Sequence, residues 1–168
     1  MVGRYRRGVL GGADERKGAI PSMGELGLNH FAPYLLNRVA ARWNADMSEE
    51  LKAFDMTTAK MRVLAILSVS NGLAINELSV YAVTEQSTMS RTLDAMEEQG
   101  LVTRTPRADD ARVRETSITE KGLAAFNAVW PTMYERYSKM FEGVSEEEYQ
   151  TLVALLHRIL GNIRRNDL

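Results

Sequence analysis

The chain has no cysteine among its 168 residues and only two histidines, His30 and His157. The first absence excludes disulfides, thiolate zinc sites and thiol-based redox sensing. The second argues against a histidine-built metal centre within one chain, so neither a metal nor another cofactor is expected. No run of roughly 18 apolar residues occurs, the length a membrane-crossing helix needs. Arginines at positions 4, 6 and 7 precede Val9-Leu10-Gly11-Gly12, too short an apolar run for a signal-peptide core, and a cytoplasmic location is expected. Positive charge is also scarce. The net charge is -1 and the pI about 6.2, whereas phosphate affinity comes from concentrated Lys and Arg. Even residues 84–121 hold six basic residues against eight acidic.

With 45% apolar residues, the chain can bury one substantial core, as a single domain or a small domain with oligomerising arms. Its organising stretch is residues 75–119. Ile75, Leu78 and Ala82 share one helical face. From Thr84 to Gln99, Met89, Leu93 and Met96 form an apolar stripe with Ser87 and Arg91 opposite. The two helices can cover each other across a tight turn at Val83 and Thr84, with Thr84 as the candidate N-cap and Gly100 as the stop. The following residues alternate as a strand from Leu101, break at Pro106-Arg107-Ala108-Asp109-Asp110 and resume from Arg112 to Thr119. Two helices and a hairpin with a basic tip make a winged helix-turn-helix.

Residues 1–28, rich in Gly and charge, read as a flexible N-terminal arm, and a basic arm that touches DNA is the alternative. Residues 29–56 read as an N-terminal dimerisation helix, with Phe31, Leu35, Val39 and Trp43 at helical spacing and Pro33 in the first turn. Thr57 or Thr58 can cap the next helix, which stops near Asn71-Gly72, and the winged unit occupies 57–119. Residues 120–168 supply C-terminal dimerisation helices. Leu123, Phe126, Trp130, Met133, Tyr137 and Met140 form a heptad-like stripe interrupted by Pro131, where a kink is expected. Ser145 and Glu148 stand in capping-box register before a last helix carrying Tyr149, Leu152, Val153, Leu156, Ile159, Leu160 and Ile163. The expected fold is mostly α with a small β-hairpin wing, the winged unit being flanked by dimerisation helices. A two-fold assembly would present two recognition helices about 34 Å apart to a pseudo-palindrome.

The contact chemistry lies at both ends of the central unit. Ser87, Thr88, Ser90 and Arg91 bring hydroxyls and one guanidinium to a helix N-terminus, where open amides also favour phosphate. Serine and threonine can meet phosphates or base edges, and Arg91 can grip guanine or span phosphates. On the hairpin, Arg107 and Arg112 are the candidate cations, and Asp110 can hold the Arg112 side chain for minor-groove entry. A second constellation, His30, Tyr34 and Arg38 at spacing of four, with Trp43 and Trp130, is the candidate pocket for a small effector; a solvated or interface face is the plainer reading.

The ordered set Glu77-Leu78, Ser87-Thr88-Met89-Ser90-Arg91-Thr92-Leu93, Glu98-Gln99-Gly100-Leu101-Val102, Asp110-Ala111-Arg112 and Ile118-Thr119-Glu120-Lys121-Gly122 resembles the MarR family of transcriptional regulators. The resemblance covers about residues 30–165. It implies a homodimer on a palindromic, double-stranded operator, released when a small, often aromatic and acidic, molecule enters a crevice between dimer helices and winged unit. It also places Ser87, Thr88, Ser90 and Arg91 on the recognition helix and Asp110 and Arg112 on the wing. Val83 departs from the family pattern where a turn glycine is common, and Arg114 where an apolar strand residue is usual. A repressor is therefore expected, not an enzyme: His30 and His157 have no carboxylate or nucleophile at local spacing. The competing reading is a winged-helix protein-interaction module without specific DNA binding, which the net acidity supports.

Overall fold

The computed structural model describes residues 23–163; the arm assigned to residues 1–28 therefore lies largely outside the described residues. The elements in chain order are α1 (Met23–Leu26), α2 (Ala32–Leu51), α3 (Thr58–Val69), β1 (Leu73–Ala74), α4 (Ile75–Tyr81), α5 (Gln86–Glu98), β2 (Val102–Pro106), β3 (Arg114–Ile118), α6 (Glu120–Met140) and α7 (Glu146–Ile163), with single 3-10 turns at Leu28–His30 and Lys52–Phe54. The chain gathers into two compact units, residues 1–46 and 47–168. Among the described residues no helix is long and apolar enough to cross a membrane.

In the first unit, α2 starts at Ala32, not at Asn29. Pro33 offers no amide, which costs little in the first turn, and the Phe31 carbonyl ahead of the helix accepts from Tyr34 and Leu35 at 3.0 and 3.2 Å. His30 thus falls on the preceding 3-10 turn, and the expected stripe of His30, Tyr34 and Arg38 loses its first member. The other two do meet, with the Arg38 guanidinium 5.7 Å from the centre of the Tyr34 ring.

The second unit holds the winged helix. Thr57 caps α3 by accepting from the Lys60 amide, as expected of one of the two threonines there. Val63, Leu64 and Leu67 of α3 pack with Leu78 and Ala82 of α4, Met89, Leu93 and Met96 of α5, Leu101 and Val102, and Phe126 of α6. All of these are almost wholly shielded from water. Burying side chains of this size contributes roughly 1.5–3 kcal/mol each for the larger ones, the term that holds the helices to the hairpin. A smaller cluster joins Leu51, Met61 and Val129. The hairpin β2–β3 gains a third, two-residue strand from β1 in the order β1-β3-β2, antiparallel throughout, with Leu73 opposite Thr116 and Val102 opposite Ile118.

Two helix ends fix the geometry. α5 closes in a Schellman motif: Gly100, at φ +70°, donates to the Glu97 carbonyl while Leu101 donates to that of Met96. α6 opens on Thr119, whose hydroxyl oxygen accepts from the Gly122 amide at 3.0 Å and donates to the Gly100 carbonyl at 2.7 Å. α6 runs unbroken through Pro131. Ser145 and Glu148 form the expected reciprocal cap ahead of α7, and the Ser145 amide, followed by its hydroxyl, holds the Glu148 carboxyl below its ordinary value.

Candidate nucleic-acid interface

The inner face of α5, Met89, Leu93 and Met96, is fully buried, which commits the opposite face to solvent. Ser87, Thr88 and Arg91 are exposed and Ser90 is half-buried. Arg91 pairs with no carboxylate among the described residues. The expected cap differs. α5 begins at Gln86 with Glu85 in the cap position and no side-chain cap bond. Thr84 stands one residue ahead of the cap position, and its hydroxyl donates to the Ala82 carbonyl at 3.1 Å, inside the turn. The Gln86 and Ser87 amides therefore have no acceptor within the helix, and they lie where the positive end of the helix dipole faces out.

The turn into α5 repeats the Schellman pattern. Val83 donates to the Val80 carbonyl and Thr84 to that of Ser79, with Val83 at φ +52°. Arg62 of α3 donates to the Ala82 carbonyl at 3.2 Å, so the turn is anchored from below.

The wing closes across residues 107–113, where the Arg107 amide donates to the Val113 carbonyl at 2.8 Å and Val113 to that of Asp110 at 3.0 Å. Asp110 was expected to hold the Arg112 guanidinium; instead its carboxylate accepts from the Arg112 backbone amide at 3.0 Å. Two residues of separation in a tight turn bring the backbone amide into reach sooner than the end of a long side chain, the usual Asx-turn preference. The Arg112 side chain is left exposed.

Arg107 is engaged within the chain. Its Nε lies 2.6 Å from Glu115, its Nη2 3.7 Å from Glu77 and its Nε 4.0 Å from Asp109. The Glu115 hydrogen bond, ahead of its charge and those of Asp109 and Glu77, raises the Arg107 pKa further. Sequence reasoning passed over Arg104, whose Nη2 lies 2.7 Å from Asp94 and 2.5 Å from Glu97 of α5, with Nε 2.9 Å from the same Glu97 oxygen. No periodicity links residue 104 to residue 97; only the alternation along β2 hinted at its direction. Arg114 donates to the Arg104 carbonyl at 2.8 Å.

Between the start of α5 and the wing lies a groove of about 350 Å³, which Asn76, Gln86, Arg104, Arg112 and Arg114 line with polar groups over apolar Leu93. Asn76, Gln86 and Arg114 were not among the expected site residues. Of the expected pocket residues, Tyr34 and Trp43 on α2 are half-buried and Arg38 is exposed. Trp130, in the other unit, is exposed within an aromatic run, its ring 5.7 Å from Phe126 and 6.0 Å from Tyr134.

A family profile described as "MarR family" matches residues 54–113. The chain is 32% identical over 143 residues to the HTH-type transcriptional repressor IacR of Pseudomonas putida, covering 85% of this chain and 86% of that one. A solved structure of a MarR-family transcriptional regulator from Silicibacter pomeroyi superposes with a TM-score of 0.83 at 40% identity, over 88% of this chain and all of that one. CouR from Rhodococcus jostii RHA1, solved bound to p-coumaroyl-CoA, is alike in fold alone, with a TM-score of 0.71 at 21% identity over 79% of this chain and 94% of that one.

Proposed function

Since the chain belongs to the MarR family of DNA-binding transcriptional regulators, we propose that it is a repressor that binds a palindromic operator as a homodimer in the cytoplasm and leaves it when a small aromatic acid binds. The observation that carries the reading is α5: its buried Met89-Leu93-Met96 face fixes the helix to the core and holds Ser87, Thr88, Ser90, Arg91 and two open amides outward. Arg112 on the wing, with no carboxylate partner among the described residues, is the second contact. Ser87 and Thr88 with the open amides suit phosphate, and Arg91 suits a guanine edge.

The homodimer is supported by apolar faces left uncovered in the single chain. α7 has no buried residue and exposes Leu152, Leu155, Leu156, Ile159, Leu160 and Ile163; α2 exposes Leu35, Leu36 and Val39. Faces of that size at helical spacing fit a partner helix. For the effector, Arg38 over the Tyr34 ring offers a cation beside an aromatic surface, with Trp43 on the same helix. The CoA thioester held by CouR is a precedent in the fold. Such a molecule acts by binding the DNA-incompetent conformer more tightly.

Titrating the protein into its own upstream intergenic DNA and a scrambled duplex, at two salt concentrations, tests the reading. Tight binding to the native fragment alone, with two chains per site, is expected. Equal, weak binding to both, erased by salt, would favour the protein-interaction module.

A further inference from the structure

Resting on the reading of α5 and the wing as a DNA-binding surface, we propose that Arg104 and Arg107 are positioning residues that tie the hairpin to the two helices of the helix-turn-helix and that neither contacts DNA. Arg104 is the tie to α5. Its side chain is only 17% exposed, it meets both Asp94 and Glu97, and Glu97 also accepts from the Arg104 backbone amide at 3.1 Å. One carboxylate therefore holds β2 by side chain and main chain together, a geometry that fixes both the distance and the twist of the strand against α5.

Arg107 is the tie to α4. The Glu77 oxygen that it faces at 3.7 Å also accepts from the Ala74 amide at 2.6 Å, at the open N-terminus of α4. The same guanidinium holds Glu115 on the neighbouring strand. Five carboxylates thus surround these two arginines, and a phosphate would have to displace one of them while meeting the rest. Arg91 and Arg112 carry no such carboxylate among the described residues. The acidic excess over residues 84–121 now has a structural place: Asp94, Glu97, Asp109 and Glu115 are turned onto the two ties.

The dependence of affinity on salt separates a tie from a contact, because removing one phosphate-binding cation lowers the slope of log affinity against log salt by roughly one. The experiment measures that slope and the native-to-scrambled affinity ratio for the wild type and for R112A, R104K, R107K and R107M, with thermal melts of each. R112A should lower the slope by about one on both duplexes. R104K and R107K keep the charge but lose the forked geometry; they should leave the slope and the scrambled affinity unchanged while the native affinity falls about tenfold. R107M should do the same.

A slope lowered by about one on scrambled DNA in R107M would make Arg107 a phosphate contact and overturn the proposal. Native affinity unchanged in both lysine variants would overturn it as well. Should an arginine variant fail to fold, E97Q and E115Q test the same ties with the arginines in place: loss of native preference is expected, and full retention of it in both would contradict the ties. A wild type that binds neither duplex would instead remove the DNA-binding reading itself.

Discussion

A Cβ built on Gly122 would lie 2.0 Å from the carbonyl oxygen of Leu101 and 2.9 Å from Cγ1 of Ile118. The first turn of α6 rests directly on the main chain entering β2, and only a residue without a side chain allows that approach. Gly122→Ala should therefore force α6 away from the hairpin and cost about 3 kcal/mol or more, since the obstacle is backbone and cannot rotate aside. Urea unfolding of the variant checks this. A midpoint equal to that of the wild type would mean that α6 does not sit against Leu101.

Val83 stands at the left-handed position of the turn into α5 and is 84% exposed. A β-branched residue costs roughly 1–2 kcal/mol in that conformation, and so exposed a side chain recovers little by packing. Val83→Gly should stabilise the protein by about 1 kcal/mol, a rise of a few degrees in melting temperature. An unchanged or lowered melting temperature would contradict the strained turn.

The Arg104 hydrogen bond holds the Glu97 carboxyl below its ordinary value of 4.5. The folded state thus favours the anion, and the stability this provides is present above pH 4.5 and lost as the pH falls through the lower folded value. Thermal melts between pH 6 and pH 3 should show a smaller acid loss in Glu97→Gln than in the wild type. Parallel curves would mean that the Arg104–Glu97 pair does not hold the folded state.

Tyr137 hydrogen-bonds Tyr149 on α7 and packs edge-on to its ring at 6.2 Å. That bond, ahead of burial and of neighbouring charge, pushes the Tyr137 phenol up to about 12. The stability from its protonated form is fully present below 10 and is lost as the pH rises through the folded value. Phenolate absorbance should show one of the six tyrosines ionising last, and Tyr137→Phe should remove that step. Its persistence in the variant would contradict the assignment.

What the sequence disclosed was periodic or local. The buried face of α5 was legible because Met89, Leu93 and Met96 keep helical spacing, and the Ser145–Glu148 cap because its residues are three apart. The two-residue β1 was not, since Leu73 is a strand residue only by pairing with Thr116. Thr84 looked like a cap because periodicity does not fix a helix start to the residue, and α5 begins one position too late for it. Arg112 was read as opening the second strand, but that strand begins at Arg114; Arg112 lies in the turn with Asp110, where the backbone amide won the carboxylate. Arg107 reads as an exposed cation until Glu115 and Glu77 arrive from other elements, and Arg104 gives no sequence signal of its partners on α5.

The most direct test of α5 as the recognition helix is the affinity of Arg91→Ala for the native operator and for scrambled DNA, measured by fluorescence anisotropy across a salt series. If α5 reads base edges through Arg91, native affinity falls by roughly 1–3 kcal/mol while scrambled affinity changes little. Equal affinity of variant and wild type for the native site at every salt concentration would contradict the claim that the exposed face of α5 is the recognition surface.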